Sequence, residues 1–350
     1  MRACVVVPVR NEAVSIGEAI DALAQQEGVD QSEFEVLVLA NNCDDDSASI
    51  ARDAGRRHPN LRLDVVECVF PPEQANIGHV RRTLMDEAER RLRSDGVIAT
   101  TDGDTVVDPR WLAATLREID AGAEMVGGRI IARWPADGSI DAATRRCHLN
   151  DTAYRFLMAE VEDLIDPDPA DRWPRHFQHF GASLAITARA YCAVGGLPHV
   201  DCLEDMALYD ELRRIDARIR HSLAVRVSSA ARPGGRVRMG FSTQLAEWRD
   251  LKRAGGIRYV ESAGFLIEQY EQSRNLRERW SRSSRRMPFG AWREEQMRDF
   301  QPTVDRVEPI GAAIDGLRTA RERLRALKPI PVASAPLEEV DPVGFGAIAV

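Results

Sequence analysis

The sequence predicts an α/β protein: a mostly parallel sheet flanked by helices, followed by a C-terminal helical extension. Three observations predict it. Short apolar, β-branched runs alternate with helical stretches from residue 3 to about residue 230. Several of those runs stop abruptly at polar or acidic loops, as buried strands do at the carboxyl edge of a sheet. From about residue 241 the alternation gives way to long, charged helical segments.

Residues 3–7 form the first expected strand, ended by Pro8, which donates no backbone hydrogen bond. Arg10-Asn11-Glu12 follows, then a helix with Ile16, Ile20 and Leu23 on one face. Residues 34–39 make the second strand. It runs into Asn41-Asn42-Cys43-Asp44-Asp45-Asp46-Ser47, rich in helix-capping types, and a helix to about Arg57. A third strand spans 61–66, a helix 78–93 and a fourth strand 97–101. Pro109 opens another helix, since proline suits a first helical turn. Residues 125–132 are a strand, and 133–177 read as irregular or helical, with a proline-broken loop near 166–174. Then come a strand at 181–187 and a helix at 188–194 that ends at Gly195-Gly196. The helix that begins near Leu203 places Leu208, Leu212 and Ile215 on one face, and 224–228 is the last strand. The elements group into residues 1–240, a helical extension at 241–330 and a tail at 331–350.

Composition narrows the function. A chain of 350 residues with 44% hydrophobic and 29% charged residues can bury a large core. Its net charge of −8 argues against a nucleic-acid partner. No apolar stretch approaches the length of a membrane span and no signal-peptide pattern opens the chain, so a cytoplasmic protein is expected. The six cysteines are scattered without a Cys-x-x-Cys pair, which points to free thiols rather than zinc or disulfides. Of the 47 basic residues only Lys252 and Lys328 are lysine, the skew of a GC-rich, bacterial coding bias.

The chemistry centres on Asp102-Gly103-Asp104. Two carboxylates at a strand end, separated by a glycine that eases the turn, offer hard oxygens to Mg²⁺ or Mn²⁺ carried in with a pyrophosphate. The same spacing at Asp44/Asp46 and Asp166/Asp168 lies in loops that follow no such strand. Neither the Gly-x-Gly-x-x-Gly fingerprint nor a P-loop is present, which excludes those two nucleotide-binding modes.

Four features then stand in order: Pro8-Val9-Arg10-Asn11-Glu12, Asn41-Asn42-Cys43-Asp44-Asp45, Asp102-Gly103-Asp104 and Glu204-Asp205. Over roughly residues 1–240 this order resembles the family 2 glycosyltransferases, which have the GT-A type of Rossmann-like sheet. The resemblance implies a metal-dependent, inverting transfer of one sugar from a nucleotide-diphospho-sugar, UDP ahead of GDP, to a hydroxyl of a glycan, glycolipid or small molecule. By the same resemblance Pro8, Arg10 and Glu12 line the base and ribose pocket. Asn41 stands where a base-reading aspartate is usual, and its amide can still read uracil. Asp45 matches the later acid of that loop, with helix capping as its alternative. Asp104 is implied as the direct metal ligand, and Asp102 as reaching the ribose or a metal-bound water.

Glu204-Asp205 matches the acidic pair whose second member is the general base, kept ionised by a helix N-terminus. Arg232 and Arg236, in a glycine-bearing loop after the last strand, are implied as stabilising the leaving diphosphate. Gly78 with Arg81 and Arg82 matches a segment that faces the donor phosphates. His176, His179 and His221 could supply a third metal ligand or be structural. Trp134, Trp173 and Phe180 fall where acceptor segments lie. The Gln-x-x-Arg-Trp signature of processive synthases is missing, in keeping with transfer of a single sugar. The arginines of 274–298 form a solvated helix face or a contact for an anionic lipid surface or phosphorylated acceptor, giving peripheral membrane contact. Two other readings remain. A sugar-phosphate nucleotidyltransferase should carry a glycine- and lysine-rich first loop, which residues 8–14 lack. A non-catalytic nucleotide-sugar-binding protein would not need the acids at 102, 104 and 205.

Overall fold

One eight-stranded sheet carries the fold in the computed structural model, which describes residues 2–93, 96–232, 234–235, 238–284 and 286–327. The elements before the sheet's first antiparallel step are β1 (Ala3–Val9), α1 (Ile16–Ala24), β2 (Phe34–Asn41), α2 (Ser47–Arg57), β3 (Leu63–Cys68), α3 (Ile77–Leu92) and β4 (Val97–Thr100). They are followed by β5 (Thr105–Val107), α4 (Trp111–Asp120), β6 (Met125–Arg133), α5 (Ala142–Ile165), β7 (Leu184–Thr187), α6 (Ala188–Ala193), α7 (Glu204–Arg214) and β8 (Ile219–Ala230). The order across the sheet is β3-β2-β1-β4-β7-β6-β8-β5. Strands β3, β2, β1 and β4 are parallel, as are β6 and β8, whereas β7 and β5 run antiparallel to their neighbours.

The two faces of β1 show why this stretch is a buried central strand. Ala3, Val5, Val7 and Val9 join Ile16 and Ile20 of α1, Ala51 of α2 and Trp111 of α4 in one core. Cys4 and Val6 point the other way, into a core with Val80 and Met85 of α3, Tyr191 of α6 and Leu208 of α7. A strand buried on both faces reads as a continuous apolar run, as this one does.

Pro8 does not end the strand as its chemistry suggests it should. Val6 accepts a hydrogen bond from Thr101 N, so the Val6 backbone faces β4, and strand alternation turns the Pro8 nitrogen the same way. There the β4 pairing has already stopped, at Val6↔Thr100, and no ladder bond is lost. Strand β5 was not expected, and β8 is longer than the 224–228 expected. Residues 133–177 contain the 24-residue helix α5.

The remaining elements are α8 (Phe241–Arg253), β9 (Tyr259–Glu261), α9 (Ala263–Ser281), α10 (Phe289–Met297), β10 (Val307–Pro309) and α11 (Ile310–Leu327). Helix α5 packs Tyr154, Leu157, Val161 and Ile165 against Phe265, Leu266 and Tyr270 of α9 and Ala313, Ile314 and Leu317 of α11. Asp216, just after α7, accepts from the Phe289 and Gly290 amides at 2.5 and 2.7 Å and so fixes the start of α10. The expected tail at 331–350 lies outside the described residues. Among the described residues no helix is long and apolar enough to cross a membrane.

Candidate active site

The site is built at the carboxyl end of β4, around a buried arginine. Arg81 stands on the second turn of α3, with only 4% of its side chain exposed. Its Nη2 donates to Asp102 Oδ1 at 2.8 Å and its Nε to Glu204 Oε1 at 2.8 Å. Nη1 donates to Thr100 Oγ1 and, at 3.2 Å, to the Gly181 carbonyl. Burial alone would weaken its proton affinity, but Asp102, Glu204 and Asp205 raise the pKa above the ordinary arginine value. Gly181 allows this approach, because a Cβ there would lie 2.5 Å from the Arg81 guanidinium carbon. Arg81 therefore turns inward, onto the acids, with its donors engaged by the protein.

The same Gly181 supplies the next link. Its N–H donates to Asp205 Oδ2 at 2.8 Å, and the Met206 N–H donates to Asp205 Oδ1 at 2.8 Å. Asp205 thus sits in the first turn of α7, one residue from Glu204. Its pKa is raised above the ordinary carboxylate value by burial and by the Glu204 carboxylate, against the opposing effect of Gly181 N–H, Arg81 and Met206 N–H. The helix N-terminus does not win this contest. Leu203, which leads into the helix, adopts a left-handed φ of 57°, an uncommon state for a non-glycine residue that clusters at functional turns.

Asp104 is met from the other end of the chain. Strand β5 pairs antiparallel with the end of β8, Thr105 opposite Ser229, so the chain leaving β8 returns over Asp104. Arg232 Nη2 lies 3.0 Å from Asp104 Oδ2, and the guanidinium forks onto Glu12 at 3.1 and 2.5 Å. Gly103 lies between the two aspartates with an ordinary φ. Its role is space, since a Cβ would crowd Val9 and Glu12 at 3.1 and 3.2 Å. Arg236 lies outside the described residues.

The first two βα loops are zipped together beside this edge. Asp45 accepts from the Ala13 amide at 3.1 Å and from the Ser47 amide at 3.0 Å, and Glu12 N–H donates to Ser47 Oγ at 2.7 Å. A cleft of about 730 Å³ opens next to them, lined by Arg10, Asn42, Val69, Phe70, Pro71, Pro72 and Ala75. Asn42 shapes it, exchanging two hydrogen bonds with the Phe70 backbone at 2.9 and 3.1 Å. Asn41 is buried at the end of β2 and is not among those lining residues, and Pro8 is buried in β1.

Residues 4–167 match the model described as Glycosyl transferase family 2. Over 136 residues the chain is 29% identical to Glycosyltransferase AglE of Haloferax volcanii, a match that covers 39% of this chain and 41% of that protein. The chain thus spans less than half the length of that curated relative. Among solved structures, the mannosyltransferase PcManGT from Pyrobaculum calidifontis, in complex with GDP-Man and Mn²⁺, has a similar fold. The TM-score is 0.50 at 19% identity, covering 94% of this chain and 76% of that one. The similarity to glycosyl transferase family 2 thus covers residues 4–167, which hold Arg81, Asp102 and Asp104.

The donor set at the GT-A sheet edge fits a divalent cation. Asp102 and Asp104 side chains are 35% and 20% exposed, carboxylates of the kind that Mg²⁺ or Mn²⁺ takes in ones or twos before completing its shell with phosphate and water. Among the described residues no group of three or more His, Cys, Asp and Glu is arranged to hold a metal. The three histidines form a network of their own. His221 Nδ1 is 2.7 Å from Asp171 Oδ2, His179 Nδ1 is 3.2 Å from His221 Nε2, and His176 Nε2 is 3.1 Å from the Ser222 carbonyl. His179 stacks on Tyr209 of α7 and reaches Met206 Sδ at 3.1 Å, so it braces the turn that carries Asp205.

Trp134 is partly buried and packs with His148 and Phe241, and Trp173 is 38% exposed. Part of the arginine-rich stretch is engaged within the protein: Arg277 pairs with Asp166 at 2.8 Å and Arg293 donates to Ser273 Oγ at 2.8 Å. Arg274, Arg282, Arg286 and Arg298 are exposed, and Arg285 lies outside the described residues. Glu204, Gly181, Thr100 and Asn42 are the residues whose structural role the sequence did not announce. Only the run Glu204-Asp205 carried a signal, and it pointed to its second member.

Proposed function

We propose that this chain transfers a single sugar, with inversion, from a nucleotide-diphospho-sugar to an acceptor hydroxyl. The observation that carries the reading is Arg81, which binds Asp102 and Glu204 with two nitrogens of one guanidinium and thereby holds the β4 acids beside the turn that presents Asp205. Asp102 and Asp104 would hold Mg²⁺ or Mn²⁺, which supplies Lewis-acid stabilisation of the diphosphate. Arg10, Glu12 and Asp45 belong to the loops beside the cleft proposed for the nucleoside, and Pro8 and Asn41 are buried at the ends of the strands that lead into those loops.

In this reading Asp205 takes the proton of the acceptor hydroxyl as its oxygen forms the new bond to the anomeric carbon. The bond from that carbon to the diphosphate oxygen breaks on the opposite face, and its electron pair leaves with the diphosphate. A base with a raised pKa holds the proton better than an ordinary carboxylate. Arg232 and Arg236 would meet the charge that grows on the leaving group. The catalytic unit is assigned to residues 1–240, with 241–330 as a helical extension, and the acceptor is a hydroxyl on a glycan, glycolipid or small molecule.

Release of nucleoside diphosphate from UDP- and GDP-sugars, with Mn²⁺ and with water as acceptor, tests the proposal. UDP-sugars are proposed as donors, and the GDP-Man complex of PcManGT makes GDP the second base to assay. Asp205→Asn should abolish turnover while a thermal shift with UDP and Mn²⁺ persists. Turnover at the wild-type rate in that variant removes the base assignment, and no shift with any nucleoside diphosphate removes the donor class.

A further inference from the structure

Arg232 occupies the two carboxylates that face each other across the sheet edge. Its Nη2 lies 3.0 Å from Asp104 Oδ2 and donates to Glu12 Oε2 at 2.5 Å and Ser15 Oγ at 3.2 Å, while Nη1 donates to Glu12 Oε1 at 3.1 Å. The three charged side chains are 24%, 20% and 11% exposed for Arg232, Asp104 and Glu12, so solvent screens them only in part. Burial opposes the Arg232 charge, and Glu12 and Asp104 more than restore it. A divalent cation bound to Asp104 would sit ~2.1 Å from a carboxylate oxygen. The guanidinium nitrogen is already 3.0 Å from Oδ2 of the same group, so the two cations would be close neighbours in a half-screened site.

We propose that Arg232 and the divalent cation hold Asp104 in alternation, and that Arg232 yields when diphosphate oxygens accept its fork. The inference rests on the glycosyl-transfer reading, which makes Asp104 a cation ligand. Its consequence is selectivity: the site takes up the cation together with a diphosphate and discriminates against the free ion. The chemistry suits the exchange, because arginine binds phosphate in the same forked manner as carboxylate. The sequence suits it too, since Ala231 N–H is anchored to the Arg133 carbonyl at 3.0 Å while Gly234-Gly235 follow two residues beyond Arg232.

The test is binding of Mn²⁺ to the full chain, read from the electron paramagnetic resonance of the free ion, with and without UDP or GDP. Arg232→Gln should bind Mn²⁺ alone more tightly than wild type, on the order of tenfold, equivalent to about 1.4 kcal/mol. Arg232→Lys keeps a cation but loses the fork and should fall between them. Adding Asp104→Asn to Arg232→Gln should erase the gain, and a gain that survives would locate the ion elsewhere and overturn the alternation. If both arginine variants, folded by circular dichroism, bind Mn²⁺ no better than wild type while a nucleoside diphosphate still recruits it, the alternation is wrong and the reading of the site stands. If no nucleoside diphosphate recruits Mn²⁺ to wild type and the variants gain nothing, that reading falls with it.

Discussion

Replacing Arg81 by methionine keeps an unbranched apolar stem and removes every Arg81 donor from the centre of the site. Glu204 is then left with a charge inside the protein, its side chain 4% exposed and its Arg81 partner gone. Breaking one member out of a buried pair costs roughly 3–5 kcal/mol, because the remaining charge has neither water nor a counterion. The bond to Asp102 counts for less. That carboxylate is 35% exposed, so its share belongs to the scale of partly solvated pairs, roughly 0.2–1 kcal/mol. The two are not independent, and the expected total for Arg81→Met stays near the buried-pair value, about 3–5 kcal/mol. Urea unfolding of Arg81→Met, Glu204→Gln and the double variant measures it. Glu204→Gln should rescue part of the loss, with a coupling of roughly 1–3 kcal/mol. A loss below about 1 kcal/mol, or additive single and double variants, would show that Arg81 is not the counterion of Glu204 and would remove the link between the two halves of the site.

Three further predictions follow from the same geometry. Gly181→Ala brings a Cβ to 2.5 Å from the Arg81 guanidinium carbon and should cost about 1–3 kcal/mol by overpacking, measured by urea unfolding; a neutral result would mean the Arg81 side chain relaxes freely. Asp205→Asn should lower nucleoside-diphosphate release by roughly 10²–10⁴-fold, the usual range for loss of a general base, while UDP-dependent thermal stabilisation is kept. The third concerns pH. Burial first, and then the neighbouring His221, hold the pKa of His176 and His179 well below the ordinary imidazole value, so both stay neutral in the folded chain. Below about pH 6.5 the unfolded chain binds those protons and the folded chain does not, so stability rises with pH through this window and falls on acidification. Each histidine adds up to about 1.4 kcal/mol per pH unit to the slope. His176→Phe or His179→Phe should flatten the urea-derived stability profile between pH 6.5 and 4.5, and an unchanged slope would mean the imidazoles take up protons in place.

What could be read in the sequence was local. β1, β2 and β4 announce themselves because every residue of β1 and β4, and all but one of β2, is buried, and burial on both faces needs unbroken apolar runs. Asp102 and Asp104 stood out for the same reason: they interrupt such a run at its carboxyl end. β5 gave no signal, since three residues after a turn become a strand only by pairing with β8, 120 to 124 positions away. Helix α5 was obscured by acids along its length. The structure shows their partners in the C-terminal extension, Arg258 just before β9 for Asp151 and Arg325 on α11 for Glu160. Arg81 read as facing the donor phosphates because nothing near residue 81 encodes Glu204. Pro8 misled for the converse reason, as its cost depends on which neighbour the missing N–H faces.

The choice of arginine is itself part of the argument. A lysine at 81 could place one ammonium near Asp102 or Glu204, but it could not direct Nε and Nη2 at both while Nη1 serves Thr100 and Gly181. The same holds at 232, where one fork spans Glu12 and reaches Asp104. In both places a planar, permanently charged group fixes the separation of two carboxylates that would otherwise repel and drift apart. Compositional bias explains why arginine is abundant in this chain, whereas bridging explains why these two positions should not tolerate lysine. Arg81→Lys should therefore retain only a fraction of the stability that Arg81→Met loses, leaving Glu204→Gln still able to rescue it. Full retention by lysine would mean that charge alone, and not the fork, organises the site.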